Sequence, residues 1–287
     1  MKNLLLQLDT DTQPSTFDSV VAIDSGADVM FRHGGVTTDQ VEGLVHGLIF
    51  TRAPSKLKHS AIYVGGSNVD AAEELLNAVK KTFFGPMRVS VMMDGNGANT
   101  TAAAAVICGG RHLDLKATQA LVLGGTGPVG QRAARLLIRA GASVRLASRS
   151  LDKAQKACQQ IAEDLQMEGP QPVAASDPTS VEAALQGVQL LIAAGAAGVT
   201  LVPQAIRQNA QDLKVAIDLN AVPPVGLEGV DSFEKAVEKD GQICYGAIGV
   251  GGTKMAIHRA AIERLFQQND LVLNAEEIYE LGTELEG

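Results

Sequence analysis

Cysteine is scarce in this chain. Only Cys108, Cys158 and Cys244 occur, far apart and with no C-x-x-C spacing, so neither a zinc site nor a disulfide framework is indicated. Positive charge is the minority sign: 24 Lys and Arg stand against 32 Asp and Glu, and the formal net charge of −8 argues against a nucleic-acid partner. No uninterrupted apolar run of about 18 residues is present, so no membrane span or membrane partner is expected. The apolar part of the opening MKNLLLQLDTDTQ is too short for a signal peptide, and a cytoplasmic location is expected. A Ser/His/Asp set, a metal-ligand cluster and an evident acid/base pair are also missing. What remains, 46% hydrophobic and 20% charged residues over 287 positions, describes a globular chain long enough for two domains.

The most informative stretch is Leu121 to Gly130, LVLGGTGPVG, followed by the helical run QRAARLLIRAG. An apolar strand runs into Gly125-Thr126-Gly127-Pro128-Val129-Gly130, a G-x-G-x-x-G, and then into a helix. In that context the first glycine is expected to permit the turn, the second to let the backbone approach a pyrophosphate and the third to let helix pack on strand. The helix N-terminus would direct unpaired N–H groups at the phosphates. A strand follows at Ser143 to Ala147. An NAD site would place Asp or Glu near its end to hold the ribose 2′-hydroxyl, but the chain reads Ser148-Arg149-Ser150-Leu151-Asp152-Lys153. A hydroxyl, an arginine fork and a lysine suit a 2′-phosphate, so NADP is the expected cofactor. The alternative is that Arg149 and Lys153 are a solvated pair at a helix start.

The first hundred residues alternate strand and helix signals: strands at Leu4–Leu8, Asp28–Phe31, Ala61–Val64 and Arg88–Met93, and helices opening near Ser15, Thr37 and Asn68. Such alternation predicts a parallel sheet with helices on its faces, and ligands in such sheets bind beyond the carboxyl ends of the strands. Two strand ends qualify, Asp9-Thr10-Asp11-Thr12 and Asp94-Gly95-Asn96-Gly97-Ala98-Asn99-Thr100. Either addresses a substrate or is turn chemistry, since Asp, Asn and Gly are common turn residues. An alanine-rich helix, Ala102 to Cys108, connects onward.

The pattern continues with a helix at Leu151–Leu165, strands at Val173–Ala175, Val188–Ala194 and Val215–Leu219, and a helix at Val181–Leu185. Ala194 and Gly195 sit where a nicotinamide ribose lies in this fold, or mark only a tight turn. Asn220 ends the last strand. GAIGVGG, Gly246 to Gly252, then leads into a helix that carries Lys254 and His258 one turn apart.

Taken in order, LQLDTDTQPSTFD, SVMMDGNGANTTAAA, GGTGPVG, DLNAVPPVG and GAIGVGG resemble the NADP-dependent methylene-tetrahydromethanopterin dehydrogenases, some of which accept methylene-tetrahydrofolate. The resemblance runs from about Leu4 to Glu284. It implies an α/β chain of two domains with a cleft between them: residues 1–110 for the pterin, with a C-terminal helix packing back, and 111–287 as a Rossmann-type doubly wound NADP domain. A homo-oligomer in one-carbon metabolism is expected. The implied reaction moves a hydride from the carbon bridging two pterin nitrogens, leaving a delocalised cation, and no proton need move. Asp94 is then the candidate for stabilising that cation, with Asn99 in the same loop. Lys254 either holds an acidic part of the pterin or is a charge on a solvated helix face, and His258 reads as a packing or capping residue. A shikimate-type dehydrogenase is the rival, but N-V-T-x-P-x-K is absent. None of Tyr63, Tyr245 or Tyr279 has lysine four residues on, which disfavours a cyclohydrolase. A non-catalytic NADP sensor is the alternative from another class.

Overall fold

A computed structural model describes all 287 residues. In chain order the elements are β1 (Leu4–Asp9), α1 (Thr16–Asp24), β2 (Val29–His33), α2 (Thr38–Ile49), β3 (Ser60–Gly65), α3 (Val69–Thr82), β4 (Ser90–Met93) and α4 (Ala98–Gly110). Next come β5 (Gln119–Leu123), α5 (Pro128–Arg139), β6 (Ser143–Ser148), α6 (Leu151–Leu165), β7 (Gln171–Ala174), α7 (Pro178–Ala184), β8 (Leu190–Ala193), α8 (Gln204–Asn209) and β9 (Val215–Asp218). The chain ends with β10 (Val237–Lys239), β11 (Gln242–Tyr245), α9 (Ala247–Leu265), β12 (Val272–Leu273) and α10 (Ala275–Glu284).

Helix starts follow local chemistry. Ser15 caps α1 by accepting from the Asp18 N–H, Asn68 caps α3 by accepting from the Ala71 N–H, and Gln40 accepts from the Thr37 N–H ahead of α2. Pro128 occupies the first turn of α5, where no donor is lost.

The chain divides into two compact units, Met1–Thr100 with Met255–Gly287, and Thr101–Lys254. The division therefore falls inside α4 and α9 rather than at residue 110, and residues 255–287 group with the first unit. The physical reason is edge pairing. β12 extends the first sheet beside β4, Val272 opposite Val91, and the Ser90 hydroxyl donates to the Gln268 carbonyl at 2.8 Å. The first sheet is parallel throughout, in the order β12-β4-β3-β1-β2. One face packs Leu6, Leu8, Ile62, Val64, Val91 and Met93 against α2 and α3.

The second sheet has the order β10-β11-β9-β8-β5-β6-β7 and is parallel except for β10. Counted from β5, this is the doubly wound 3-2-1-4-5-6 order with one added antiparallel strand. The connection reverses between β5 and β8, and the loops after those two strands flank the switch point. The β10–β11 hairpin turns through Asp240 and Gly241, both with positive φ, a two-residue signal present in the sequence as Lys-Asp-Gly-Gln. No helix is long and apolar enough to cross a membrane.

One local expectation needs correction. GAIGVGG does not lead into a helix; from Ala247 on it is the helix. A side chain at Gly249 would meet the Glu234 carbonyl oxygen at 1.8 Å, and the Ile248 N–H donates to the Ser232 carbonyl at 2.8 Å. Gly246 and Gly249 are there because a neighbouring loop closes on the first turn of α9, whereas a Cβ at Gly251 or Gly252 would meet nothing within 4 Å.

Candidate functional site

In the second unit the switch point is built by close backbone approach. Gly124, just ahead of the G-x-G-x-x-G, has φ +69°, and a Cβ there would lie 2.6 Å from the backbone of Gly195. The residue that permits the turn is thus Gly124 rather than Gly125, whose own Cβ would strike the Leu146 side chain at 2.5 Å. The doubled glycine was the available signal. Gly130 is excluded from bearing a side chain by the Gly124 carbonyl oxygen at 2.6 Å, so helix and turn pack as expected of the third glycine.

Gly127 differs from all three. Its φ of −80° is open to any residue, and the nearest atom to a Cβ would be the Gly124 carbonyl oxygen at 3.4 Å, an ordinary contact. Nothing inside the protein requires glycine at this position. The space is at the N-terminus of α5, where Pro128 brings no donor and the N–H groups of Val129 and Gly130 have no intrahelical acceptor. Thr126 completes the turn, its carbonyl accepting from the Gln131 side chain at 2.9 Å. The positive end of the helix and a vacant Cβ position together fit a dinucleotide pyrophosphate.

Ser148 ends β6, and its hydroxyl accepts from the Ser150 N–H at 3.4 Å; Ser150 in turn caps α6. Arg149 and Lys153 are exposed, and no acidic residue stands between Ser148 and Leu151. Ala194 and Gly195 are half-buried at the end of β8, and the Ala194 N–H donates to Leu123 at 2.9 Å. Asn220 is at the expected strand end, but its side chain is used locally. Its amide donates to the Pro224 carbonyl at 3.1 Å and its oxygen accepts from the Val222 N–H at 2.9 Å. Beneath it lies a residue that sequence reasoning missed. Asp218, 1% exposed, accepts from the N–H groups of Asn220 and Leu227 and organises the loop between them. Burial raises its pKa, and the backbone donors pull the other way.

In the first unit, Asp94 and Asn99 come together but are enclosed. Asp94 is 1% exposed; one carboxylate oxygen accepts from the N–H groups of Asn99 and Thr100 at 2.9 and 3.1 Å, the other from the Thr100 hydroxyl at 2.6 Å. The side chain therefore caps the start of α4 and closes the 95–97 turn, in which Asn96 and Gly97 have positive φ. Asn99 donates to the Met93 carbonyl at 2.6 Å and to Asn274 at 2.9 Å. Asp9 is similarly enclosed, accepting from the N–H groups of Asp11 and Ser15. His258 is fully buried and stacks on Tyr63 with centroids 5.9 Å apart, as a packing residue would. Lys254 is half-buried on α9.

A family model described as methylene-tetrahydromethanopterin dehydrogenase, N-terminal, matches residues 16–96, and one described as putative NAD(P)-binding matches residues 112–226. The bifunctional protein MdtA of Methylorubrum extorquens is 45% identical over 286 residues, covering 99% of each chain. The NAD(P)-dependent methylenetetrahydromethanopterin dehydrogenase of the same organism is 30% identical over 285 residues, covering 95% of each. Among solved structures, ligand-free 5-ketofructose reductase of Gluconobacter has a TM-score of 0.52, and quinate dehydrogenase from Corynebacterium glutamicum in complex with NAD one of 0.51. Both are 15% identical and cover 99% of both chains, a likeness of fold alone.

Proposed function

This chain belongs to the methylene-tetrahydromethanopterin dehydrogenase family, and we propose that it transfers a hydride from the methylene bridge of methylene-tetrahydromethanopterin to NADP, with methylene-tetrahydrofolate as a second substrate. The observation that carries the nucleotide half is the vacant Cβ position of Gly127 at the β5/β8 switch point. The family model on residues 16–96 supports the pterin half.

When bound, the nicotinamide supplies the hydride acceptor. The chain's own contribution is alignment and charge. Gly125 to Gly130 receive the pyrophosphate, while Arg149 and Lys153, with the Ser148 hydroxyl, take the 2′-phosphate in place of the missing acid. Ala194 and Gly195 leave room for the nicotinamide ribose, and Asn220 acts by bracing its loop. Because Asp94 is enclosed, its role is to hold the 95–100 loop in shape, with Asn99, rather than to touch the cation. Lys254 holds the acidic part of the pterin. No general acid or base is needed, since loss of hydride from an N–C–N carbon leaves a cation and releases no proton. Lys254 apart, residues 1–100 with 255–287 take the pterin and 101–253 the nucleotide.

Assay of both methylene pterins against NADP and NAD tests the reading. Rapid NADPH formation from the methanopterin substrate, slower turnover of the folate and poor use of NAD are expected. Tight NADP binding without turnover of either pterin would instead favour a sensor.

A further inference from the structure

Tyr63 joins three distant segments of the first unit. It lies on β3, 1% exposed, on the sheet face opposite the α2 and α3 core. Its ring leans toward the carboxyl end of the strand because Gly65, two residues on, has no side chain; a Cβ there would lie 3.0 Å from the Tyr63 ring. The ring stacks on His258 of α9 at 17° between planes. The hydroxyl hydrogen-bonds the Asp18 carboxylate of α1 and lies 3.4 Å from the Asp94 carbonyl oxygen at the end of β4. Residues 18, 94 and 258 therefore meet on one side chain at the strand ends, where ligands bind in such sheets.

We propose that Tyr63 is a positioning residue for the pterin side of the site, fixing α1, the 94–100 loop and the α9 turn at His258 in one arrangement. The inference rests on the pterin reading above. Burial and the neighbouring carboxylates of Asp18, Asp94 and Asp9 hold the phenol far above its ordinary pKa, so the hydroxyl stays a donor and takes no part as a base. Its contribution is to binding: a mobile 94–100 loop would weaken the grip on substrate without altering the nucleotide site.

Tyr63→Phe keeps the ring and removes only the hydroxyl, so the stack on His258 survives. In this variant KM for methylene-tetrahydromethanopterin should rise about tenfold, with kcat and NADP affinity changed by no more than about twofold. Hydrogen exchange at the Asn99 and Thr100 amides, both held by Asp94, should accelerate in parallel. Tyr63→Leu, which also loses the stack, should raise KM further. Unchanged KM and unchanged exchange in Tyr63→Phe would overturn the proposal, as would an equal loss of NADP affinity, which marks a general structural role. If the wild-type protein fails to turn over the pterin, the substrate reading falls by itself. Exchange at Asn99 and Thr100 then still decides the positioning role, upheld if faster in Tyr63→Phe and overturned if the same.

Discussion

Two glycine-spaced turns occupy the same place in the two units: each follows a buried parallel strand and opens a helix. After β5, Gly124 to Gly130 leaves an open Cβ position at Gly127 and helix donors without acceptors. After β4, Gly95 to Gly97 is closed by the buried carboxylate of Asp94, which takes up the N–H groups of Asn99 and Thr100 itself. The first turn leaves its helix donors open; the second is finished by its own chain. An acidic residue ahead of the glycines is what separates them, because a carboxylate at a helix start consumes the donors that a bound anion would otherwise use.

The largest test of that contrast is Gly127→Val. The backbone conformation accepts valine, so fold and Tm should hold, while NADP affinity falls by more than about 100-fold as the side chain takes the phosphate's space. NADP bound at wild-type strength, measured by calorimetry, would make the first turn as closed as the second. Arg149→Ala comes next. Loss of a charge-assisted bond of about 1.5–3 kcal/mol should weaken NADP roughly 10- to 150-fold and leave NAD almost untouched. Equal losses for both nucleotides would remove the 2′-phosphate from the assignment.

On the closed side, Asp94→Asn should cost about 1–3 kcal/mol of stability, since an amide cannot serve all three donors that the carboxylate accepts. Chemical denaturation reads this, and NADP binding should stay intact; undiminished stability would mean that the loop does not depend on its carboxylate. The smallest effect concerns pH. Burial and nearby positive charge lower the pKa values of His59 and His112, so the unfolded chain binds more protons than the folded one just below pH 6.5. Their contribution to stability should therefore be whole above that pH and shrink as pH falls from about 7 to 5.5. Replacing both with Gln should flatten the fall in Tm over that interval, and an unaltered slope would exclude them as its source.

Much of the fold was legible because its signals are local. α6 begins and ends at Leu151 and Leu165, as its apolar spacing predicts, and the strand, turn and helix around Gly125 to Gly130 follow from residue types a few positions apart. β12 was not legible, since two residues carry no periodicity and exist as a strand only through register with Val91 and Met92. Nor were Asp218 and Tyr63, whose importance comes from partners that the folded chain supplies.

Sequence alone determined the alternating α/β class, the glycine turn and the missing acid after β6, because hydrophobic period, backbone freedom and charge act over short stretches of chain. Tertiary structure alone decided which glycine keeps an open Cβ position, that Asp94 points inward, and that Val272 and Leu273 pair with β4. Those outcomes depend on what lies within a few ångströms across the fold, and burial turns the same polar residue from a site into a brace once neighbouring donors reach it.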